Sequence, residues 1–354
     1  MQAIEAAPSV AEERPLVSLI LPAFNEEAIL EKNLALIFEY LDGLSSRYRW
    51  EVILVNDGST DRTGEIIDRI AAERAGVVAL HHPRNFGLGQ ALKFGFAQSR
   101  GDYVVTMDVD LSYSVEHIGW LLETIRSTKA KMVLASPYMH GGKIGNVPWL
   151  RKILSIGANR FLSIVAQGNL STLTCLVRAY DGPFVRSLNL RAMGMDVMPE
   201  LVYKSMVLRA TIEQMPATLD WEVQVGPGAR KSSMRIFRQI VRTLLSGFTF
   251  RPFAFFVVPG LLLLAFAINV NAWMLIHFFD AWSALPPDTP GRVSVAVADA
   301  YREFPHTFIV GLFSLTLSIQ LISLGVIALQ NKSYFEEMFH IASAIKRKVD
   351  SNDE

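Results

Sequence analysis

The sequence predicts an α/β chain, a doubly wound and mostly parallel sheet followed by a transmembrane helical hairpin. Three observations carry this. Short Val/Ile/Leu-rich runs alternate with amphipathic stretches up to about residue 230. Two uncharged apolar stretches, 253–279 and 307–330, each exceed the ~20 residues that cross a bilayer core. Polar, turn-forming residues collect where the short runs end, in "PAFNEE", "NDGSTD", "HPRNFGLG" and "DVD".

Taken in order, strands are expected at 16–24, 51–57, 77–82, 103–108 and 131–136. Their near-continuous apolar character suits strands covered on both faces. Helical patterns fall at 26–42, 61–75, 87–99 and 114–127. In such sheets ligands sit beyond the carboxyl ends of the strands, so the polar tips are the expected site.

Residues 1–15 read as a disordered tail without the apolar core of a signal peptide. A globular domain is expected over 16–230. At 231–250 an interfacial helix is expected, with Ile236, Phe237, Ile240, Val241, Leu244 and Leu245 on one face and Arg235, Arg238 and Arg242 around the other. "WLRKILSIGANRFLSIV" (149–165) has a similar look and is expected either as a lid on the bilayer or as a core-packed helix.

The hairpin is expected over 251–330, with a connecting loop at 280–306 and a tail at 331–354. Arg230, Lys231, Arg235, Arg238, Arg242 and Arg251 precede the first span; Lys332, Lys346, Arg347 and Lys348 follow the second. The connecting loop is acidic on balance. The positive-inside rule therefore places both termini in the cytoplasm.

Composition excludes several classes. Lys plus Arg and Asp plus Glu both number 34, so no basic field points to nucleic acid. One cysteine, Cys175, excludes a disulfide framework and a cysteine-based zinc site. The His81–His82 pair is expected to pack at a strand end.

The tips suggest chemistry. Asp108 and Asp110 stand one residue apart at a strand end, where like charges destabilise each other unless a cation lies between them. Two carboxylates on a strand-to-loop turn suit Mg²⁺ or Mn²⁺ bridging to the phosphates of a nucleotide. An EF-hand fails, because Tyr113 occupies the position that needs glycine. The Asp57 carboxylate can accept hydrogen bonds from a base or ribose, or belong to a capping loop. Gly87 and Gly89 do not complete a G-x-G-x-x-G pattern, since Leu92 stands at the third position, and they follow the third strand rather than the first. Arg84 is expected to point at a diphosphate or to lock the neighbouring loops.

In this order and spacing, "LPAFNEE", "VNDGSTD", "HPRNFGLGQAL" and "MDVDLS" resemble the nucleotide-sugar half of family 2 glycosyltransferases. More narrowly they resemble dolichol-phosphate mannose synthases and bacterial polyprenyl-phosphate glycosyltransferases. The resemblance is strong over 16–135, looser over 136–235, and architectural in the hairpin. It implies a glycosyltransferase A type fold. It also implies that Pro22, Asn25, Glu26 and Asp57 line a nucleotide pocket. Asp108 and Asp110 would hold the metal and the diphosphate of a GDP- or UDP-hexose, with transfer that inverts the sugar.

The departures lie in the acceptor half. Where relatives show "GSRY" the chain has "ASPY", with Pro137 in place of arginine. "TLTCLVRAY" keeps Arg178, Ala179 and Tyr180 but carries Thr172 for an acidic residue and Leu176 for a glycine. Ser112 replaces a common glutamine and is a shorter metal or water ligand. Arg178, Arg230, Lys231, Ser232 and Ser233 are the expected acceptor-binding residues. Asp196 and Glu200 are the candidate bases, with Asp181 behind them, should the acceptor be a hydroxyl.

The expected function is transfer of a hexose from a nucleotide sugar to polyprenyl phosphate at the cytoplasmic face of a membrane. The alternatives are a glycolipid synthase acting on a lipid hydroxyl and an inactive nucleotide-binding partner of another glycosyltransferase. Expected partners are the donor, the lipid acceptor and the membrane, and a homo-oligomer is compatible with the hairpin.

Overall fold

The structure, a computed structural model, describes residues 14–145, 157, 170–220 and 252–350. The 149–165 segment apart from Gly157, the 231–250 helix, and Arg230, Lys231, Ser232 and Ser233 lie outside the described residues. The chain divides into two compact units, Met1–Gly247 with His340–Glu354, and Phe248–Phe339.

Strands β1 (Leu16–Ala23), β2 (Arg49–Asn56), β3 (Val77–His81), β4 (Tyr103–Thr106) and β5 (Met132–Ser136) form where the apolar runs stand. Helices α1 (Leu30–Gly43), α2 (Thr63–Glu73), α3 (Leu88–Gln98) and α4 (Glu116–Thr128) alternate with them. The chain continues through β6 (Lys143–Gly145), β7 (Arg178–Asp181), α5 (Gly182–Ser187), α6 (Val197–Val207), β8 (Ile212–Pro216) and β9 (Thr218–Asp220).

Seven strands make one sheet in the order β3-β2-β1-β4-β7-β5-β8, and β6 pairs with β9 beside it. All pairings are parallel except those of β7, which enters antiparallel between β4 and β5. Side chains alternate along β1, as strand geometry requires. Leu19 and Leu21 join the core that takes in Leu34 and Ile37 of α1 and Leu121 and Leu122 of α4. Ile20 points the other way and fills the space that Gly95 of α3 leaves open. Both faces are thus covered, and β1 is buried almost throughout.

The second unit carries α7 (Pro252–Ala284), α8 (Arg292–Glu303) and most of α9 (Pro305–Asp350). Two of its helices are long and apolar enough to cross a membrane, over Phe255–Ala284 and Pro305–Ile345. Leu262 and Phe313 are 70% and 72% exposed, and many large apolar neighbours share their fate. An apolar surface of that extent is not one a soluble monomer leaves in water.

Small residues bring α7 and α9 together. Gly260 faces Ile322, Gly311 faces Asn271 and Gly325 faces Val257. The Asn271 carboxamide donates to the carbonyls of Ala267 at 2.8 Å and Gly311 at 3.2 Å. Small residues with an occasional polar bridge are how apolar helices pack in lipid. The segment expected as a loop at 280–306 is helical at both ends and forms α8 between them.

Candidate active site

β1 and β4 are parallel neighbours, with Ile20 opposite Thr106. Their carboxyl ends therefore lie side by side, and with them the tips 24–27 and 107–112. The chemistry of this convergence shows in Asp108. Burial first, then the nearby charges of Asp110 and Glu26, push its carboxyl up to about 8. Asp110 on the same tip and Glu26 on the adjacent one thus act electrostatically on Asp108.

The turn that holds Asp108 and Asp110 is fastened at Val109, Asp110 and Ser112. Asn33 of α1, itself buried, donates its carboxamide N–H to the carbonyl of buried Val109 at 2.8 Å. The Ser112 amide donates to Asp110 Oδ1 at 2.9 Å, and the Asp220 amide donates to the Ser112 carbonyl at 2.9 Å. Ser112 is buried beneath the turn. Leu111 takes a left-handed conformation, φ 53°. For a branched side chain this costs on the order of 1–2 kcal/mol, and it persists because the surrounding bonds fix it.

The first tip is laced to the second. Asn25 is also left-handed, φ 56°. Its carboxamide oxygen accepts from the Thr60 amide at 2.8 Å, and its own amide donates to Ser59 Oγ at 3.0 Å. The Glu26 amide donates to Thr63 Oγ1 at 2.8 Å. Pro22 lies within β1, half-buried, opposite Val55 of β2.

Asp57, expected either at a base or ribose or in a loop, bonds to a loop in this structure. Its carboxylate accepts from the Phe86 amide at 3.0 Å and the Gly87 amide at 2.8 Å, and pairs with His82 Nδ1 at 2.8 Å. It is 4% exposed. In this structure it fastens the loop after β3. His82 stacks on Phe94, as the packing expectation has it, and His81 Nε2 lies 2.9 Å from Asp68. Gly58, with φ +67°, lets this loop press on the Arg84 and Asn85 backbone, where no Cβ would fit. The Arg84 guanidinium lies 5.0 Å from the Phe86 ring centre and its residue is exposed.

The G-x-G loop proves to be a packing device. Gly89 abuts the backbone of Ala192 and Met193 too closely for a Cβ, and its amide donates to the Met193 carbonyl at 2.9 Å.

In the acceptor half the structure corrects two expectations. Arg178 is fully buried, and its guanidinium donates to the carbonyls of Cys175, Leu173 and Met198 at 2.7, 2.8 and 3.0 Å. It shapes the segment before β7 and presents no cation to an acceptor. Glu200 is committed as well. It accepts from the amides of Arg191 and Ala192 and pairs with buried Lys204 at 2.6 Å. It anchors the 191–192 loop and is not a free base. Asp196 is exposed, with one carboxylate oxygen accepting from the Gly194 amide at 3.1 Å. Asp181 caps α5 through the Phe184 amide and pairs with Lys131 at 2.8 Å. Thr172, which stands where the resemblance leads one to expect an acidic residue, lies with its Oγ1 2.7 Å from Ser136 Oγ, which is also 2.7 Å from Ser171 Oγ. Gln214 closes this neutral network through Ser171.

Two residues that position the site went unnoticed in the sequence. Asn33 had a signal: it is polar on the face of α1 that buries Leu30, Leu34 and Ile37. Leu111 had none, since leucine carries no mark of a left-handed turn.

The donor set suits a hard divalent cation. It offers carboxylate oxygens on one turn, where burial and the nearby charges of Asp110 and Glu26 raise the Asp108 carboxyl. No three His, Cys, Asp or Glu groups close a cage among the described residues.

The Glycosyl transferase family 2 pattern matches residues 18–182, from β1 to the start of α5. The chain is 32% identical over 208 residues to the undecaprenyl-phosphate mannosyltransferase of Micrococcus luteus, covering 57% of this chain and 82% of that one. It belongs to glycosyltransferase family 2. As a family 2 glycosyltransferase it is also 26% identical over 250 residues to a dolichyl-phosphate beta-glucosyltransferase of Trichomonas vaginalis, covering 65% and 73% of the two chains. Coverage varies, and the chain spans as little as 26% of the length of another curated relative. Among solved structures it is similar to glucosyl-3-phosphoglycerate synthase from Mycobacterium tuberculosis, at 22% identity and a TM-score of 0.48. That match covers 66% of this chain and 79% of that one.

Proposed function

We propose that this family 2 glycosyltransferase moves a hexose from a nucleoside-diphosphate sugar to a polyprenyl phosphate, at the cytoplasmic face of the membrane that its hairpin spans. The observation that carries this is the convergence of Glu26, Asp108 and Asp110 at the adjoining tips of β1 and β4. The relatives supply the acceptor class, since the undecaprenyl-phosphate and dolichyl-phosphate transferases above are named for lipid phosphates.

In this reading Asp108 and Asp110 hold Mg²⁺ or Mn²⁺ with the donor diphosphate, and Glu26 adds negative field from the neighbouring tip. The bound cation would neutralise charge on the departing nucleoside diphosphate. The fastened turn keeps both carboxylates in one place before substrate arrives, so little reorganisation accompanies reaction. Pro22, Asn25 and the Asp57-anchored loop wall the nucleotide, with Arg84 at the rim. The acceptor attacks from the face opposite the leaving group, which inverts the anomeric centre. A lipid phosphate is already an anion at neutral pH and needs no base. Arg230, Lys231, Ser232 and Ser233 are its proposed binding residues at the membrane surface.

The neutral Ser136, Ser171 and Thr172 cluster favours a second reading, a lipid hydroxyl as acceptor. That reaction needs a base, and exposed Asp196 is then the candidate. Labelled UDP- and GDP-hexoses, offered with purified polyprenyl phosphate and with total lipid, separate the two. A product cleaved by mild acid is a sugar phosphodiester and supports the phosphate reading. An acid-stable product, formed from total lipid alone, supports the hydroxyl.

A further inference from the structure

α9 turns one face to α7, through Gly311, Ser314, Ser318 and Gly325, which are all buried. Its opposite face carries a second pattern. Ile309, Phe313, Thr316, Gln320, Ser323, Ile327 and Gln330 follow one another at alternating spacings of four and three. All seven are exposed. At ~3.6 residues per turn this spacing keeps them on one narrow seam. The exposed flanks, Leu317, Ile319, Leu324 and Val326, are apolar. Between Phe313 and Ile327, polar side chains on the exposed seam are Thr316, Gln320 and Ser323, and none has a hydrogen-bond partner among the described residues.

A carboxamide facing hydrocarbon is unfavourable, and side chains of this kind in membrane helices bond across to another helix. We propose that the seam is a dimer interface, in which α9 of one copy packs in parallel against α9 of a second. The proposal rests on the reading of α7 and α9 as membrane spans.

The seam itself argues for a second copy. A two-fold axis along the membrane normal sets each residue opposite its own counterpart at equal depth. Carboxamides and hydroxyls both donate and accept, so Gln320 can pair with Gln320 and Ser323 with Ser323. No charge lies on the seam between Phe313 and Ile327 to oppose self-association. The four-and-three spacing matches the left-handed packing that most membrane bundles adopt.

The test uses the full chain in native membranes, with single cysteines introduced by Thr316→Cys, Gln320→Cys and Ser323→Cys. Leu317→Cys and Ile319→Cys flank the seam as controls. The wild type, whose one thiol at Cys175 is buried, is the blank. Mild oxidation should give a disulfide-linked dimer at the seam positions and none at the flanks. In addition, Gln320→Leu should weaken dimerisation in detergent by roughly 3- to 20-fold, the range of single interhelical hydrogen bonds in membranes. Equal crosslinking at seam and flank, no crosslinking, or crosslinking only to a different protein would overturn the dimer while leaving the spans intact. Alkaline carbonate extraction of the same membranes checks the spans separately. Release of the chain would remove the membrane reading and the dimer with it.

Discussion

Asn33 of α1 donates its carboxamide N–H to the carbonyl of Val109, 2.8 Å away and 76 residues on in sequence. A helix of the first βα unit thereby holds the turn on which Asp108 and Asp110 stand. Asn33→Leu keeps the branching of the side chain and strands a buried carbonyl. The expected loss is about 1–3 kcal/mol of stability. Transfer should fall further than the unfolded fraction explains. Thermal unfolding and transfer rate, measured on one preparation, check this; a loss of stability with unchanged turnover goes against it.

In the proposed function Asp108 makes metal binding depend on pH. Its folded-state pKa is raised to about 8 by burial, Asp110 and Glu26. An unfolded aspartate loses its proton near 4. Between those values the folded state holds a proton that the unfolded state has released, so stability without metal falls as pH rises. Above about 8 the loss is complete. A cation must displace the same proton, so its affinity grows across the same window. Melting curves at pH 5.5 and 8.5, with and without Mg²⁺ or Mn²⁺, should show the larger stabilisation by metal at 8.5. Asp108→Asn should flatten the difference, and an equal metal effect at both pH values would contradict it.

The carboxylates near α6 divide by role. Glu200→Ala removes the partner of a buried lysine and frees two loop amides. It should cost about 3–5 kcal/mol, the usual consequence of breaking a buried pair. Asp196→Asn should leave the melting temperature unchanged. With a lipid-phosphate acceptor it should also leave transfer within a few-fold of wild type, whereas a hydroxyl acceptor predicts a fall of about 10²- to 10⁴-fold. The two variants are compared by melting temperature and by kcat.

Gly58→Ala introduces a side chain at a φ of +67° and against the Arg84–Asn85 backbone. The loop that Asp57 fastens must shift. Nucleotide affinity should fall several-fold, and isothermal titration with GDP and UDP reads this directly; unaltered affinity for both would separate the loop from nucleotide binding.

Much of the first unit was legible because its strands are long and apolar on both faces. The expected ends of β1, β3 and β5 fall within a residue of those observed. β7 was not legible. "RAYD" is four residues with no alternation, and its place between β4 and β5 is set by tertiary pairing. The site divides in the same way. The place of Asp108 and Asp110 was legible, because an apolar run that ends in two carboxylates marks a strand tip. Arg178 misleads, because a sequence does not show that three carbonyls will surround its guanidinium. Glu200 misleads for a like reason, since its partners are backbone amides that any sequence could supply. α8 was hidden because it lies in a segment punctuated by prolines.

The most direct test of the central claim is a transfer assay with wild type and Asp108→Ala side by side. Each is given Mg²⁺ or Mn²⁺, a labelled nucleotide sugar and purified polyprenyl phosphate. Acid-labile labelled lipid from wild type, absent with chelator and absent from an equally folded Asp108→Ala, is the predicted result. Labelled lipid formed equally by both proteins would contradict it.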